Sequence, residues 1–405
     1  MKYVVVLGDG MADWPIEKLG GKTCLEYANT PNMDKLAPHA ELGLFRTVPK
    51  GFAPGSDVAN MSVMGFDPAK YYTGRSPLEA VAMGINLRDT DVTLRANLVT
   101  LAGGGSYEDM AMADYSAGEI TTDEAKELIN YLKKELDGDG LTLYPGVSYR
   151  HCLVAENGRT GHTLTPPHDI SDRKITEYLP KGPCAERYLA LMKKSYGLLK
   201  DHPINRARMA AGKNPANSLW LWGEGTKPAL ENFAAKTGLK GGVISAVDLV
   251  KGIALLADMK FIPVEGATGN YDTNFPVKAE AAARELTDGG LDYVYIHMEG
   301  PDECGHHGDV EHKIFSIEQI DGLVVKTLKE RLEAAGEDYC MLICPDHPTP
   351  CAIKTHVADP VPYLLYTNVK DLDNGAKRYT ETEAKNTGVF IEKGYTLLDR
   401  MLKIK

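Results

Sequence analysis

The pattern that most constrains this fold is an apolar run that ends in an acidic loop and is followed by a helix. Residues 3–7 form a β-branched run closed by Gly-Asp-Gly. The runs 291–298 and 339–344 lead in the same way into a Gly-Pro-Asp loop and a Pro-Asp-His loop. Continuous apolar runs are typical of strands buried on both faces of a parallel sheet. We therefore predict an α/β fold, a parallel sheet flanked by helices, with its chemistry at the carboxyl ends of the strands.

The middle of the chain has a different pattern. Residues 94–101 and 149–155 are predicted strands, and a capped helix over residues 122–136 lies between them. A length of 405 residues also favours about two domains. The predicted domains are a discontinuous one, residues 1–88 plus 268–405, and a smaller inserted α/β domain, residues 89–267.

Composition excludes several functional classes. The net charge is -11 and no Lys/Arg block is present, which argues against a nucleic-acid partner. Seven cysteines at irregular spacing, without a C-x-x-C, indicate reduced thiols. The N-terminal apolar run is too short for a signal peptide, and no run approaches the ~18 residues of a membrane span. We expect a cytoplasmic protein without a membrane partner.

Carboxylates and imidazoles gather at the predicted strand ends. Asp302 and His306 are four residues apart, so on a helical turn they share one face. Each residue alone also fits a turn or a solvent-exposed loop. Their joint occurrence at corresponding strand ends favours a site for two divalent metal ions. The candidate ligands are Asp9, Asp302, His306, Asp346, His347 and His356.

Ser56 follows an Ala-Pro-Gly turn and begins a predicted helix. A serine at this position is commonly only an N-cap. A helix N-terminus also binds phosphate oxygens through its free N–H groups, and a neighbouring metal makes a serine alkoxide accessible near neutral pH. Ser56 is therefore a candidate phosphate-accepting nucleophile.

With these residues in place, the sequence resembles the archaeal-type, 2,3-bisphosphoglycerate-independent (cofactor-independent) phosphoglycerate mutases of the alkaline phosphatase superfamily of metalloenzymes. The similarity spans both ends of the chain in order and at family-like spacing. The matching motifs are GDGMAD at 8–13, TPNMDKLA at 30–37, PGSDVANMSVMG at 54–65, YYTGRSPLEA at 71–80, D-x-x-G-H at 302–306, PDH at 345–347 and H-x-x-x-PVP from residue 356.

The resemblance implies a role for each matching residue. Ser56 corresponds to the residue that becomes phosphoserine. Lys313 resembles a lysine that contacts the phosphate, although an exposed helix lysine is the alternative. Manganese is the expected metal, and magnesium, zinc and cobalt also suit oxygen and imidazole ligands. The implied ligands are Asp9, Ser56, Asp346 and His347 for one ion, and Asp302, His306 and His356 for the other.

The inserted domain is expected to bind the rest of the substrate. The run of arginines and the acid–base aspartate of bacterial relatives are not reproduced there. Asp169 is the candidate acid–base residue, and Arg75 is either a phosphate contact or a turn anchor. These residues are equally consistent with polar loop positions. The candidate substrate-binding residues are Arg75, His151, His162, His168, Arg206 and Arg208.

The function implied is interconversion of 2- and 3-phosphoglycerate through phosphoserine. Three alternatives stay open: a homoserine kinase-like phosphotransferase, a metal-dependent phosphatase or sulfatase-like hydrolase, and a non-catalytic sensor. The stretch 217–223 is closer to a proposed homoserine kinase branch of the family, whereas no Walker-type or kinase Gly-rich loop is present. An intact set of ligands together with Ser56 argues against the sensor.

Overall fold

The computed structural model describes residues 1–404 and divides into two compact units. Residues 1–72 and the chain from 229 onward form the discontinuous unit, and Thr73–Pro228 form the inserted unit. The strands are β1 (Lys2–Gly8), β2 (Glu41–Phe45), β3 (Val92–Ala102), β4 (Ala111–Asp114), β5 (Leu141–Tyr144), β6 (Arg150–Ala155), β7 (Ser218–Thr226), β8 (Gly241–Ile244), β9 (Lys260–Phe261), β10 (Tyr293–Met298), β11 (Tyr339–Cys344), β12 (Val361–Thr367) and β13 (Phe390–Ile391).

Helices follow most strands. The α-helices are α1 (Cys24–Tyr27), α2 (Pro31–Leu36), α3 (Ser56–Val63), α4 (Pro68–Tyr71), α5 (Ser76–Ala82), α6 (Thr122–Leu136), α7 (Ala185–Leu199), α8 (Pro203–Ala210), α9 (Phe233–Thr237), α10 (Asp248–Leu256), α11 (Phe275–Thr287), α12 (Gly300–His307), α13 (Val310–Gln319), α14 (Lys326–Ala334), α15 (Glu381–Asn386) and α16 (Leu397–Leu402). Short 3₁₀ turns occupy Glu17–Leu19, Ala37–His39, Tyr107–Asp109, Pro167–Ile170, Thr176–Tyr178 and Gly394–Thr396. Within residues 1–404, none of the helices combines the length and apolar composition that a membrane crossing needs.

The discontinuous unit is built on an eight-stranded sheet in the order β13-β2-β12-β11-β1-β10-β8-β9. Strands β11, β1, β10, β8 and β9 are parallel, whereas β12 pairs antiparallel with both β11 and β2. Apart from Lys2 at the start of β1, the residues of β1, β10 and β11 are buried, as their continuous apolar runs require. The predicted α/β class is confirmed, and a single reversed strand, β12, makes the sheet mixed.

The inserted unit has a five-stranded antiparallel sheet. Strand β3 is its centre, because it pairs with β4, β6 and β7, and β5 extends the sheet beyond β6. Helices α6 and α7 bury apolar residues in the core of this unit, among them Leu128, Leu132 and Met192. This core is separate from the core around β1.

The contacts place the unit boundaries at 72/73 and 228/229, whereas the sequence pattern placed them at 88/89 and 267/268. Two packing relations account for the difference. Helix α5 packs on β3 and β7, and β8 pairs with β10 in the large sheet. Neither long-range pairing leaves a local sequence signal.

A π-helical segment, Ile320–Val325, joins α13 to α14. The sequence predicts one regular amphipathic helix over residues 315–334. The segment presents the buried carboxylate of Asp321 to the start of α2, where it accepts backbone N–H bonds from Asn32 at 3.2 Å and Met33 at 2.7 Å. These N–H groups have no partner within their own helix, so Asp321 of the π-helical segment stabilises the start of α2.

Candidate metal centre

The predicted ligands meet at the carboxyl edge of the large sheet. Strand β1 lies between β10 and β11, all three parallel, with Leu7 opposite both His297 and Cys344. Asp9 directly follows β1, and Asp346 is the second residue after the end of β11. Helix α12 begins just after β10 and carries Asp302. The chain brings these acids together because parallel strands end at the same edge.

One group of donors surrounds Asp9. Its Oδ2 lies 2.8 Å from His297 Nε2, and its Oδ1 lies 3.6 Å from His347 Nε2. His347 Nε2 is also 3.4 Å from Asp346 Oδ2 and 3.0 Å from the hydroxyl oxygen of Ser56. Donor atoms of Asp9, His297 and Asp346 all lie within 4.8 Å of one another, so this group is able to hold a metal ion.

A second group surrounds Asp302. His306 Nε2 is 3.3 Å from Asp302 Oδ2, His356 Nε2 is 3.4 Å from Asp302 Oδ1, and the two Nε2 atoms are 2.9 Å apart. The hydroxyl of Thr349 donates to Asp302 Oδ1 and fixes the carboxylate. Asp302, His347 and His356 form another set of donors within 4.8 Å. His347 therefore lies between the two groups.

The electrostatics of the cluster fit bound cations. Asp9 Oδ1 is buried and has no hydrogen-bond partner among residues 1–404. Burial, and then the neighbouring charges of Asp346 and Asp302, raise the pKa of Asp9 well above its ordinary value. Several buried carboxylates without matching cations are unfavourable, and a divalent ion removes that cost. The oxygen and imidazole donors suit a hard or borderline metal.

The pKa values of Asp302 and His306 in the second donor group are also shifted. Burial raises the pKa of Asp302, but hydrogen bonds from His306 and His356 outweigh it and hold the pKa well below its usual range. The hydrogen bond to Asp302 raises the pKa of His306 to about 9. The proton thus occupies the imidazole nitrogen whose lone pair would bind a metal ion.

Ser56 is the first residue of α3, after the N-cap residue Gly55, and its side chain does not cap the helix. The hydroxyl contacts His347 instead. Asn60, one turn later, donates to the Ser56 carbonyl at 2.9 Å and to Asp346 Oδ2 at 2.8 Å, and accepts a hydrogen bond from Tyr295. The start of α3 is therefore fixed against the end of β11.

Gly10 permits the close approach of two chain segments. Its φ is +61°, and a Cβ there would lie 2.6 Å from both Asp302 Oδ1 and Thr349 Oγ1. Its N–H donates to Asp346 Oδ1 at 3.1 Å. A side chain at this position would collide with the second donor group.

Lys313 is fully buried on α13, in place of the exposed position that the alternative prediction assumed. Its ammonium donates to Asp13 Oδ2 at 2.8 Å and to the carbonyls of Thr349 and Ala12 at 2.8 and 3.2 Å. All three of its donors are engaged within the protein. Contact with a phosphate requires Lys313 to exchange one of these bonds, and that role stays a prediction.

His297 was not among the predicted ligands. Its only sequence signal is a histidine inside an otherwise apolar strand, β10. Burial lowers its pKa to about 4, so the imidazole is neutral and has a lone pair to offer. Its closeness to Asp9 depends on the register between β1 and β10, which spacing along the chain does not reveal.

The predicted residues of the inserted unit do not form one group. Arg208 is buried and bonded to Glu124 and to the Ala117 carbonyl. His162 has both ring nitrogens engaged, by Glu224 Oε2 at 2.5 Å and by the Cys184 N–H at 3.0 Å. These contacts satisfy the two side chains within the protein.

Three further predicted residues also lie apart. His151 is buried in β6, whereas Arg206 on α8 and Asp169 in the 3₁₀ turn after β6 are exposed. Asp169 Oδ1 is 3.7 Å from His168 Nε2, an ion-pair distance between two solvent-exposed side chains. The acid–base role of Asp169 stays a prediction.

Arg75 belongs to an arginine cluster, defined here as Arg75, Arg95 and Arg150 around Glu79. Arg75 Nε and Arg95 Nε donate to the two carboxylate oxygens of Glu79 at 2.8 and 2.9 Å. The Arg95 guanidinium lies over the ring of Trp222, 4.2 Å from its centroid. Burial raises the pKa of Glu79, but the surrounding guanidiniums outweigh it and lower the pKa overall. Guanidiniums are also the side chains that bind a carboxylate or a phosphate through paired N–H bonds.

His168 lies beside this cluster. Its ring makes edge contacts with Trp222 and Tyr115, at centroid distances of 5.3 and 6.0 Å. The fold thus brings Arg75 and His168 close to the same cluster. Arg95 and Arg150 were not among the residues predicted from the sequence. Arginines that interrupt the apolar strands β3 and β6 were the available signal.

Comparisons with known proteins point to one family of enzymes. The family model of the 2,3-bisphosphoglycerate-independent phosphoglycerate mutases matches residues 37–205. A relative from Geobacter sulfurreducens, named a probable enzyme of this kind, is 50% identical over 402 residues, covering 99% of this chain and 100% of its own. The Methanosarcina barkeri enzyme of that name is 46% identical and covers 100% of both chains.

Solved structures show the same fold. A protein from Pyrococcus horikoshii is 30% identical with a TM-score of 0.82, over 99% of this chain and 96% of its own. A cofactor-independent phosphoglycerate mutase from Thermoplasma acidophilum is 25% identical with a TM-score of 0.67 and full coverage of both chains. By its full-length similarity, this chain belongs to the family of 2,3-bisphosphoglycerate-independent phosphoglycerate mutases.

Proposed function

We propose that this protein interconverts 2- and 3-phosphoglycerate without 2,3-bisphosphoglycerate, with Ser56 as the phosphate acceptor. The observation that carries the proposal is the hydroxyl of Ser56, 3.0 Å from His347 Nε2, at the edge of a buried cluster of aspartates and histidines. A single serine at the start of α3 has a hydroxyl that no cap uses. This arrangement suits a nucleophile that carries a phosphoryl group between two steps.

We assign two divalent ions, manganese as the expected metal, to the two donor groups. When bound, they withdraw charge from the phosphoryl oxygens and favour the alkoxide of Ser56. The group of Asp9, Asp346 and His297 fits this occupancy, because burial and the neighbouring carboxylates make a charge on Asp9 unfavourable without a cation. The proposed ligands are Asp9, Ser56, Asp346, His347 and His297 for one ion, and Asp302, His306 and His356 for the other.

The remaining steps use the protein's own groups. The oxygen of Ser56 attacks phosphorus, the bond to glycerate O3 breaks, and O3 takes up a proton in place of the one that Ser56 loses. Glycerate O2 then attacks the phosphoserine and restores the Ser56 hydroxyl. Asn60 and Thr349 hold Asp346 and Asp302 in place throughout, since both carboxylates accept their hydrogen bonds.

The arginine cluster supports the substrate-binding role predicted for the inserted unit. Phosphoglycerate carries a carboxylate as well as a phosphate, and guanidiniums bind both groups through paired N–H bonds. Glu79 holds two of the guanidiniums in fixed orientation. These guanidiniums supply local positive charge for an anionic substrate within a chain whose net charge is -11.

The test is an enolase-coupled assay with manganese-loaded protein, 3-phosphoglycerate and no bisphosphoglycerate. Ser56→Ala is expected to lose at least about a thousandfold in kcat. Ser62→Ala is the matched control, because Ser62 is also buried in α3 but donates to the Thr47 carbonyl. Equal activity of the Ser56 variant and the control would contradict the nucleophile. ADP formation from ATP and homoserine, without mutase activity, would favour the kinase alternative. Release of inorganic phosphate would favour the hydrolase alternative.

A further inference from the structure

Two cysteines from distant parts of the chain meet beside the catalytic loops. Cys24 begins α1, and Cys351 lies in the loop that runs from His347 to His356. Both are free thiols. Their Sγ atoms and a carboxylate oxygen of Asp13 all lie within 4.8 Å of one another. We refer to Cys24 and Cys351 as the thiol pair.

The charges around the thiol pair favour a thiolate on one member. The contact with the Cys24 thiol and the charge of the Lys313 ammonium lower the pKa of Cys351, against burial and the charge of Asp13. The same contact and burial raise the pKa of Cys24, whose thiol donates to Asp13 Oδ2 at 3.6 Å. Cys24 is completely buried, whereas Cys351 is 7% exposed. Cys351 is therefore the member of the pair with the greater thiolate character and the larger exposed fraction.

Asp13 makes thiol chemistry a better explanation than a third metal site. Its Oδ2 already accepts from Lys313 at 2.8 Å and from the Cys351 N–H at 3.3 Å. A metal held by Asp13 and the thiol pair would sit beside this fixed ammonium. Like charges at that separation repel, so the lysine takes the place of a cation.

We propose that the thiol pair is a reversible oxidation site that closes to a disulfide when the protein meets a peroxide. The Cys351 thiol attacks the peroxide O–O bond, giving a sulfenic acid and water. The Cys24 thiol then attacks that sulfur, the S–O bond breaks, and a disulfide and a second water form. The Sγ atoms need to approach by at most about 2.8 Å to reach bonding distance.

Closure of the disulfide would move a loop that the donor groups depend on. The Cys351 carbonyl packs closely against Gly308, the residue that ends α12. A Cβ built on this glycine would lie only 3.2 Å from the carbonyl oxygen. Two residues earlier, Thr349 bonds Asp302 through its hydroxyl and Lys313 through its carbonyl. Displacement of Cys351 toward α1 therefore shifts Thr349 and Asp302. The resulting loss of activity rests on the function proposed above, whereas formation of the bond does not.

The experiment treats full-length, manganese-loaded protein with hydrogen peroxide, alkylates the remaining thiols after denaturation, and maps peptides without reductant. We expect a peptide that links Cys24 to Cys351 and disappears with dithiothreitol. Mutase activity is expected to fall at least tenfold and to recover with the reductant. Cys24→Ser and Cys351→Ser each remove the link and protect the activity of that variant from peroxide. Cys184→Ser, which lacks a half-buried thiol of the inserted unit, keeps the link.

Several results would overturn the inference. Alkylation of both thiols in peroxide-treated wild type would show that no bond forms, and the wild-type map decides this even where a variant fails to fold. A link with unchanged activity would remove the coupling to catalysis. A soft metal ion retained by wild type and lost from both serine variants would replace the disulfide with a metal site. A link in a protein without mutase activity would sink the proposed function and leave the thiol pair intact.

Discussion

Acid should destabilise the inserted unit through one buried histidine, His151. Its Nδ1 accepts the Gly146 N–H at 3.0 Å, and its Nε2 is buried without a partner among residues 1–404. A proton on Nδ1 would meet the N–H of Gly146 and place a charge in the core. Burial, and then the charge of Arg150, lower the pKa of His151 from 6.5 to about 3.

The sign and size of the effect follow from linkage. In the unfolded chain His151 binds a proton below a pH of 6.5, whereas in the folded chain it does so only near 3. Above 6.5 this histidine leaves the free energy of unfolding unchanged, and below 6.5 that free energy decreases as the pH falls. At a pH of about 5 the loss is about 1.5 pKa units, or about 2 kcal/mol in the free energy of unfolding. His151→Asn keeps an acceptor near Nδ1 and removes the titration.

The assay is urea unfolding of wild type and His151→Asn at a pH of about 7.5 and about 5, followed by tryptophan fluorescence. Trp220 and Trp222 lie on β7, beside the β3 segment that pairs with His151, so they report on this unit. The cavity cost of the asparagine is the same at both pH values and cancels. Wild type should lose about 2 kcal/mol more than the variant. Equal losses in the two proteins would refute the buried, neutral histidine.

Three further predictions concern the site. Chelation should lower mutase activity at least a hundredfold, and added manganese should restore it, whereas full activity after exhaustive chelation would exclude metal catalysis. His297→Ala should weaken manganese binding by about 10- to 100-fold in a metal titration, and unchanged affinity would confine His297 to a structural role. Arg95→Lys should raise KM about tenfold with a smaller change in kcat, because lysine cannot both pair with Glu79 and stack on Trp222; an unchanged KM would separate the arginine cluster from substrate binding.

The central sheet was predictable because its signals are local. An apolar run followed by glycine and an acid specifies a buried strand and its loop within about ten residues. The structure has β1, β10 and β11 at the predicted runs, and Asp9 and Asp346 follow the ends of two of them. Because parallel strands align their carboxyl ends, local pattern was enough to gather these acids.

Contacts between distant segments were not predictable from pattern. Asn60 lies 286 residues from Asp346, and no spacing rule connects them. His297 needs the register between two strands, and Arg95 needs the pairing of β3 with β6 and β7. The π-helical segment was not predicted for another reason, since its six residues, Ile320–Val325, lie within a longer stretch of amphipathic helical spacing.

Polar residues of the inserted unit were harder still. A histidine or arginine within a loop carries no sign of whether the fold buries it. Arg208 and His162 are held by Glu124 and Glu224, partners that lie 84 and 62 residues away. These contacts satisfy both side chains within the protein, and their role in substrate binding stays a prediction.

Phosphoserine at position 56 is the most direct sign that Ser56 accepts the phosphoryl group. Manganese-loaded protein would be mixed with 3-phosphoglycerate, quenched in acid and digested, and the peptide that contains Ser56 analysed by mass spectrometry. We expect the mass of one added phosphoryl group on Ser56, absent without substrate and absent from Ser56→Ala. An active mutase with no phosphorylated Ser56, or with the phosphoryl group on another residue, would contradict it.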